Sequence, residues 1–255
     1  MRDGPAPRRA GLSVVLPAYR EQDVIAATLA ALRDGLAAAA PGDDLELIVV
    51  DDGSDDDTAA RAGAAGADRV IVLDGNRGKG AAVRAGMLAA TGDAVLFTDA
   101  DLQYPPDRIL AVLARLEGDV GAVVARRGRS GEPPLRRLGS YAVSWGARVS
   151  VLGGAAGAEG LGVDTQCGLK AFRRDVARDV FARCRVDRFG FDVEVLVLLA
   201  LLGVPVAVET VDAIPTPRRS SVRVLRDGAA ILRDLLGIRR RLRRGDYDLA
   251  ARSDD

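Results

Sequence analysis

The sequence predicts an α/β protein with a mostly parallel, twisted sheet that is covered by helices on both faces. The first observation is a series of short runs rich in valine, isoleucine and leucine, at 12–18, 45–54, 68–74 and 93–101. The second is that segments with helical spacing of apolar residues separate these runs. Because the runs are apolar almost throughout, each strand is expected to be buried on both faces, as in parallel sheets.

Each predicted helix follows from its own apolar spacing. The first is predicted at 21–39, where one face carries Val24, Ile25, Leu29, Leu32 and Leu36. A short alanine-rich helix is predicted at 57–66, and a third at 79–91 ends before Gly92. Right-handed crossovers between parallel strands would bring the carboxyl ends of the strands to one edge, where ligands bind in such sheets.

The composition excludes several classes of protein. A chain of 255 residues that are 48% hydrophobic can bury a full core, and its 36 basic and 36 acidic residues cancel, which disfavours bulk nucleic-acid binding. The sequence contains no histidine, so histidine bases, Ser-His triads and histidine-bound zinc are excluded. Cys167 and Cys184 form no C-x-x-C motif and are expected to be small buried side chains in a reducing cytosol. Acid, base or metal chemistry must therefore use carboxylates.

Four segments are expected along the chain. Residues 1–11 are polar and rich in proline and glycine, and are interpreted as a loose tail and not as a signal peptide. Residues 12–220 form one globular domain, 221–244 a basic amphipathic helix, and 245–255 a polar tail. No apolar run reaches the ~18 to 20 residues of a membrane span, so no transmembrane segment is expected.

Polar residues follow each predicted strand. The stretch "VVDDGSDDDT" at 49–58 supports two interpretations: an acidic turn that caps the next helix through Asp57 or Thr58, or a ligand-binding loop. The other strands end in "PAYRE", "DGNRGKG" and "TDADLQ". Because four successive strands bring polar or glycine-rich groups to one edge, the second interpretation is favoured.

The stretch "TDADLQ" predicts a metal site. On an extended chain, residues two apart point to the same side, so Asp99 and Asp101 would present paired carboxylates, with Gln103 as a further oxygen donor. Such a set suits Mg²⁺ or Mn²⁺. In "NRGKG", glycines allow close backbone approach while Arg77 and Lys79 supply positive charge for a diphosphate. The spacing matches neither a dinucleotide fingerprint nor a Walker A loop.

These motifs together resemble a known family. "VVLPAYRE", "IVVDDGSDDDT", "NRGKGAAVRAGM" and "LFTDADLQYPPD", in this order, resemble family 2 glycosyltransferases with the nucleotide-sugar-binding GT-A fold. "DTQCGLKAFRRDVA" and "RFGFDVEVL" resemble the branch of dolichyl-phosphate glucosyltransferases and polyprenyl-phosphate mannose synthases. The resemblance implies that residues 12–220 are a GT-A domain. It also implies a metal-dependent, inverting hexosyltransferase that acts on polyprenyl or dolichyl phosphate.

The resemblance also implies roles for individual residues. The donor-binding residues would be Pro17, Tyr19, Glu21, Asp52, Arg77, Gly78 and Lys79, with Asp52 accepting from the base. The metal ligands would be Asp99, Asp101 and Gln103. The acceptor phosphate would be held by Arg127, Arg136 and Ser140. The remaining catalytic candidates are Asp164 and Lys170, and the residues near the sugar would be Gln166, Asp192 and Glu194.

Several alternatives stay open from the sequence. UDP-glucose is the preferred donor and GDP-mannose the alternative, while a different acceptor, or a nucleotide-sugar-binding protein without turnover, would also fit. The helix at 221–244 has an apolar face with Val224, Leu225, Ile231, Leu232, Leu235, Ile238 and Leu242 and carries many arginines elsewhere. It would either pack on the core or lie on an anionic membrane surface. A cytoplasmic enzyme, peripheral on the inner face of the cell membrane, is expected.

Overall fold

A computed structural model describes residues 11–37, 44–128, 167–212, 214 and 224–247. The strands are β1 (Leu12–Ala18), β2 (Leu45–Asp51), β3 (Arg69–Val72), β4 (Ala94–Phe97), β5 (Ala122–Arg127), β6 (Lys170–Arg173) and β7 (Val206–Val211). The helices are α1 (Ile25–Leu36), α2 (Thr58–Ala64), α3 (Lys79–Ala89), α4 (Pro106–Leu113), α5 (Arg174–Arg183), α6 (Phe191–Leu201) and α7 (Val224–Arg244).

The seven strands form one sheet in the order β3-β2-β1-β4-β6-β5-β7. Strands β1 to β4 pair in parallel, and β5 pairs in parallel with β7. Strand β6 lies between β4 and β5 and runs antiparallel to both. The predicted α/β fold with a mostly parallel sheet is therefore confirmed, while the strands β5, β6 and β7 were missing from the sequence-based prediction.

Helices cover both faces of the sheet and divide the core into two layers. Val14 and Leu16 of β1 face α1 and α4, whereas Val15 of the same strand faces α3, α5 and α6. Helix α6 has buried side chains all round, from Phe191 to Leu199, which is why its sequence is apolar without an amphipathic pattern. Within the described residues, no helix combines the length and the hydropathy needed to cross a membrane.

Three strands are shorter than their apolar runs predict, and the first of them, β2, was predicted at 45–54 and spans Leu45–Asp51. Strand β3 was predicted at 68–74 and spans Arg69–Val72, while β4 was predicted at 93–101 and ends at Phe97. Beyond Phe97 the chain turns, since the amide of Leu102 donates to the carbonyl of Asp99 at 3.2 Å and Leu102 has a φ of 52°. The pair of carboxylates in "DAD" therefore belongs to a turn and not to a strand.

Helix α3 packs unusually close to the sheet at Gly86. A Cβ atom built on Gly86 would lie 2.3 Å from Cγ1 of Val15 and 2.9 Å from Cγ2 of Val50. These distances are shorter than a carbon–carbon contact allows, so the hydrogen of glycine is needed to bring α3 onto β1 and β2. This approach fixes the beginning of α3, which carries Lys79, against the same sheet.

The substitution Gly86→Ala is therefore expected to lower the free energy of unfolding by about 1–3 kcal/mol, because the extra methyl overpacks a rigid contact. Gly63→Ala in α2 is the matched control. A Cβ there meets no atom within 4 Å, so the same change should leave stability unchanged or raise it by up to about 1 kcal/mol. Urea unfolding of both variants measures the difference. Equal effects at the two positions would contradict the close packing of α3.

Candidate active site

The carboxyl ends of the parallel strands meet at one edge of the sheet, and β6 begins at this edge because it runs in the opposite direction. In the register of the sheet, Phe97 of β4 pairs with Lys170 of β6, which pairs with Val124 of β5. The segments after Phe97, before Lys170 and after Val124 therefore come together. This edge is the candidate site, as expected for a sheet of this type.

Asp99 is held between an ammonium group and a glycine. The Nζ atom of Lys79 donates to Oδ1 of Asp99, and both side chains are largely buried, with 21% and 27% of their surface exposed. On the other side, a Cβ atom on Gly168 would lie 2.1 Å from Oδ2 of Asp99. Residue 168 must be glycine to leave room for this carboxylate, which explains the glycine of "QCG".

The turn that carries Asp101 differs from its sequence-based description. Asp99, Asp101 and Gln103 were expected to project from one side of an extended strand, and this geometry is wrong because β4 ends at Phe97. The hydroxyl of Thr28 fixes the turn by donating to the carbonyl of Ala100 at 2.7 Å. The side-chain nitrogen Nε2 of Gln103 donates to Oδ2 of Asp101 at 2.9 Å. Gln103 thus supports Asp101, and its role as a metal ligand stays a prediction.

Lys170 lies inside the protein and not at the surface of the site. Its side chain is fully buried, and its ammonium group donates to Oδ1 of Asp192 at 2.5 Å and to the carbonyl of Cys167 at 3.0 Å. The Nζ atom also lies 5.4 Å from the centre of the Phe97 ring. Strand β6 starts in the middle of the sheet and holds this side chain beneath the site, and a direct role of Lys170 in catalysis stays a prediction.

The ionisable groups of the site influence one another. Burial raises the pKa of Asp192, against the opposing effect of Lys170 and Lys79. Burial lowers the pKa of Lys79, but the carboxylates of Asp99, Asp192 and Asp101 outweigh it, and the net shift is upward. Lys79 therefore remains a cation at neutral pH. The site thus brings the ammonium groups of Lys79 and Lys170 together with the carboxylates of Asp99, Asp101 and Asp192.

The loops after β2 and β3 are joined through the carboxylate of Asp52. Its two oxygens accept from the backbone amides of Arg77 and Gly78, each at 2.8 Å. Gly53 has a φ of 67°, and a Cβ there would lie 2.4 Å from the carbonyl carbon of Gly75. Asp52 therefore braces the loop after β3, a role that the sequence-based interpretation missed. The proposed contact between Asp52 and a nucleoside base stays a prediction.

The first loop presents an aromatic ring beside this brace. Tyr19 is 39% exposed, and the guanidinium of Arg20 lies 5.3 Å from its ring centre. Arg20 also binds both oxygens of Asp55 at 2.6 Å. Pro17 lies in β1 opposite Val50, while the amide of Glu21 donates to the hydroxyl of Thr58 at 2.8 Å. This places Tyr19 and its neighbours at the edge, next to the acidic loop.

The acidic loop also caps a helix, through a residue other than those expected. The carboxylate of Asp56 accepts from the amide of Thr58 at 3.0 Å and from its hydroxyl at 2.5 Å. Asp57 occupies the cap position of α2 without a side-chain hydrogen bond to the helix. The helix-capping interpretation of the stretch 49–58 is therefore confirmed in its outline, with Asp56 in place of Asp57 or Thr58, while the ligand-binding interpretation stays a prediction.

Asp187 supports the loop before α3, and sequence reasoning missed it. Its carboxylate pairs with Arg84 at 2.5 Å and with Arg77 at 3.5 Å, and its backbone carbonyl accepts from the amide of Ala81 at 3.0 Å. Gly78, with a φ of 114°, packs on the same carbonyl, since a Cβ there would lie 2.6 Å from it. The sequence offers only a weak signal, an acid shortly before "RFGF".

Arg127 stands at the opposite side of the site, at the end of β5. It is half-buried, and its guanidinium donates to the hydroxyl of Tyr104 at 3.4 Å. The thiol of Cys167 contacts the same hydroxyl at 3.1 Å, and burial raises the pKa of Tyr104 so that its phenol stays protonated. Arg127 is thereby joined to the turn that precedes Lys170. The other candidates for this side, Asp164, Gln166, Arg136 and Ser140, lie outside the described residues.

Glu194 does not belong to the site, which corrects its assignment to the sugar. It lies two residues after Asp192 in α6 and therefore about 200° further around the helix. Its Oε2 accepts from the amides of Arg185 and Val186 at 2.8 Å, and its Oε1 accepts from the hydroxyl of Tyr247 at 2.5 Å. Glu194 holds the chain after α7 against the loop before α6.

A second depression lies at the opposite edge of the sheet and is chemically less suitable. It has a volume of about 900 Å³, and Gly11 before β1 and Ala94 of β4 contribute to its lining. Arginines also line it, but Arg174 pairs with Asp93 at 3.2 Å, and Arg183 pairs with an aspartate of its own helix at 3.4 Å. These charges are therefore already compensated within the protein.

The sequence of this chain is similar to those of several known proteins. The family model described as Glycosyl transferase family 2 matches residues 13–181. A curated dolichyl-phosphate beta-glucosyltransferase from Drosophila melanogaster is 35% identical over 220 residues, which covers 77% of this chain and 64% of the relative. An undecaprenyl-phosphate 4-deoxy-4-formamido-L-arabinose transferase from Klebsiella pneumoniae is 33% identical over 178 residues, which covers 68% of this chain and 51% of the relative. The chain thus spans less than two thirds of the length of these two relatives.

A similar fold is present among solved structures. The crystal structure of glucosyl-3-phosphoglycerate synthase from Mycobacterium tuberculosis, in complex with Mn²⁺, uridine diphosphate and phosphoglyceric acid, matches with a TM-score of 0.65. The sequence identity is 24%, and the match covers 90% of this chain and 77% of that chain. This similarity establishes the fold and leaves the substrates of the present chain to be inferred from its own site.

The buried pair beneath the site leads to a prediction about stability. Lys170→Met is expected to lower the free energy of unfolding by about 3–5 kcal/mol, because it leaves Asp192 buried without its partner. The double variant Lys170→Met with Asp192→Leu should recover much of this loss, since it removes both charges. Arg33→Met is the control. Its partner Asp68 is 2.9 Å away and both side chains are over 40% exposed, so a loss below about 1 kcal/mol is expected. Equal losses of stability in Lys170→Met and Arg33→Met, measured by urea unfolding, would contradict the assignment of Lys170 and Asp192 as a buried pair.

Proposed function

The chain belongs to glycosyl transferase family 2, and we propose that it transfers a hexose from a nucleoside diphosphate sugar to a polyprenyl phosphate with inversion at the anomeric carbon. The observation that carries the proposal is the turn of Asp99 and Asp101 facing Lys79, with Tyr19 on one side and Arg127 on the other. The named relatives act on dolichyl or undecaprenyl phosphate, which supports the acceptor class. UDP-glucose is the preferred donor.

The donor half of the site has the groups that a nucleoside diphosphate requires. The exposed ring of Tyr19 offers a flat surface for a base, beside the loop that Asp52 braces. Arg77 and Lys79 carry positive charge next to the carboxylate turn. The electrostatic match favours an anionic donor.

The carboxylate turn fits a divalent metal of the oxygen-binding kind. Asp99 and Asp101 supply two anionic oxygens, and the described residues contain no group of three or more histidine, cysteine, aspartate or glutamate side chains arranged to hold a metal ion by themselves. Mg²⁺ and Mn²⁺ commonly take few protein ligands and complete their shell with substrate phosphates and water. A metal held here would neutralise the diphosphate that leaves the sugar.

The chemistry needs alignment more than a base. An oxygen of the acceptor phosphate forms a bond to the anomeric carbon while the bond to the diphosphate breaks and the electron pair leaves with the diphosphate. A phosphate monoester is already anionic near neutral pH, since its second pKa is about 6. The absence of histidine from the sequence is consistent with this reaction. Arg127 would orient the acceptor phosphate, and Lys79 would stabilise the leaving group.

A matrix of donors and acceptors tests the proposal. The protein is incubated with Mg²⁺ or Mn²⁺, with UDP-glucose or GDP-mannose, and with a polyprenyl phosphate or a soluble phosphate acceptor. Glycolipid from UDP-glucose is the expected product. Glycolipid from GDP-mannose would replace the donor assignment, and transfer to the soluble compound alone would replace the acceptor. Nucleotide-sugar binding without any product would show a binding protein and would sink the enzyme proposal.

The exposed side chains of helix α7 support the proposal that this protein lies on a membrane surface. Leu235 and Ile238 of this helix are buried in the core, so the apolar face predicted from the sequence is divided. Leu232 and Leu236 are 57% and 54% exposed instead. They continue into a shallow basic groove, and together they form the leucine–arginine surface, which consists of Leu232, Leu236, Arg239, Arg240, Arg243 and Arg244.

An anionic lipid surface is the partner that fits this arrangement. Exposed leucines can enter the boundary of the lipid while each nearby arginine adds about 1 kcal/mol of attraction to anionic headgroups. Arg241 is excluded from the leucine–arginine surface because its guanidinium lies 3.8 Å from the buried carboxylate of Glu194. Nearer the beginning of the helix, at Val224, Leu225 and Ile231, the structure describes the backbone only.

Asp101→Asn is expected to lower glycosyl transfer by on the order of 100-fold or more, because one anionic ligand of the metal is lost while the volume is kept. The urea midpoint should remain close to that of the unchanged protein, since the residue lies in an edge turn. Asp107→Asn, a neighbouring exposed acid that pairs with Arg108 at 3.5 Å, is the control and should retain full activity. Near-normal turnover of Asp101→Asn at limiting metal would refute the site.

Reversal of the four arginines of the leucine–arginine surface to glutamate is expected to weaken binding to phosphatidylglycerol vesicles at least tenfold. Activity on a short, detergent-soluble polyprenyl phosphate should survive, because the site itself is untouched. Replacing the same arginines with lysine keeps the charge and should keep vesicle binding. Equal losses on membrane-embedded and soluble acceptors, in a folded protein, would mean that α7 shapes the active site and does not attach it to lipid.

A further inference from the structure

We propose that Lys79 competes with the divalent metal for Asp99, so that the metal binds tightly only together with the donor diphosphate. This inference rests on the proposed metal and donor sites and concerns the order in which they are filled. It assigns Lys79 a second role: besides binding the diphosphate, the lysine suppresses binding of metal alone.

The contact that carries the inference is the ion pair itself. Nζ of Lys79 lies against Oδ1 of Asp99, and a metal ligated by that oxygen would meet the ammonium group at close range. Like charges repel strongly where solvent is scarce, and both side chains are largely buried. The lysine must therefore leave this oxygen when the metal binds.

Neither partner of the pair can withdraw by a movement of its backbone. Lys79 begins α3, and the preceding loop is fixed by two hydrogen bonds to Asp52. The following residue, Gly80, is packed so closely that a Cβ there would lie 2.5 Å from the carbonyl oxygen of Val186. Asp99 is confined on its other side by Gly168. Only the side chain of Lys79 is free to move.

A second carboxylate gives the displaced ammonium a place to go. Asp192 interacts electrostatically with Lys79 and is already bound to Lys170. A divalent ion alone would add two positive charges beside ammonium groups that these carboxylates already compensate. An anionic diphosphate that arrives with the metal restores the balance and offers Lys79 new oxygens. Metal and donor should therefore bind with positive coupling.

Binding of Mn²⁺ alone, measured by electron paramagnetic resonance of the free ion, tests this inference. Without nucleotide, Lys79→Met should bind Mn²⁺ at least about tenfold more tightly than the unchanged protein, because the competing cation is gone. Lys79→Arg keeps the charge and should stay close to the unchanged protein. Arg77→Met is the control. It removes a charge from the same loop, but this charge pairs with Asp187 and not with Asp99, so the Mn²⁺ affinity should change less than about twofold.

Two further measurements separate the possible outcomes. The tighter binding of Lys79→Met should disappear in the double variant with Asp101→Asn, which ties it to the carboxylate turn. Addition of UDP should raise the Mn²⁺ affinity of the unchanged protein far more than that of Lys79→Met. Equal or weaker Mn²⁺ binding by folded Lys79→Met overturns the competition while the proposed function stands. Failure of the unchanged protein to bind Mn²⁺ even with UDP overturns both.

Discussion

Compensation of one buried ammonium group, that of Lys170, organises the whole edge of the sheet. An unpaired charge in the interior costs several kcal/mol, so a carboxylate has to reach it. Asp192 meets this requirement from the first turn of α6, where a negative charge is also favoured by the helix dipole. Helix α6 must therefore begin directly against β6. Its first residue, Phe191, in turn packs on Gly80 and fixes the loop that carries Lys79.

The loops of the site are held by backbone contacts more than by long side chains. Asp52 binds two amides of the neighbouring loop, Gly53 touches the backbone of Gly75, and Gly168 leaves room for Asp99. Contacts of this kind allow few alternative arrangements, so the charged groups are oriented before a substrate arrives. Such orientation is a large part of what an enzyme contributes when the nucleophile needs no activation. The glycines of these motifs thus allow segments of the chain to pack closely, in addition to any contact with a ligand.

The sequence predicted those features that depend on local pattern. Apolar runs located β1 to β4, and the acidic and glycine-rich ends of these strands located the edge where the site lies. Strand β6 escaped prediction because "KAFR" is short and its pairing partners are distant in sequence. The same distance hid the burial of Lys170 and the pairing of Glu194 with Tyr247, since neighbouring residues do not reveal which side of a helix meets a remote segment. The turn at Asp99 was misjudged because an apolar run does not show where hydrogen bonding between strands ceases.

The position of β6 has a consequence for how the chain is assembled on the ribosome. Strands β5 and β7 reach the rest of the sheet only through β6, yet β5 precedes β6 along the chain. A nascent chain that has emerged as far as β5 therefore has an open edge on β4 and a strand without a permanent neighbour. Open edges of this kind invite pairing with other chains, and closing them requires contacts between distant residues, which form slowly. Slow translation just before β6 would prolong this vulnerable stage, so yield in a foreign host should depend on codon choice and chaperone supply there more than elsewhere in the message.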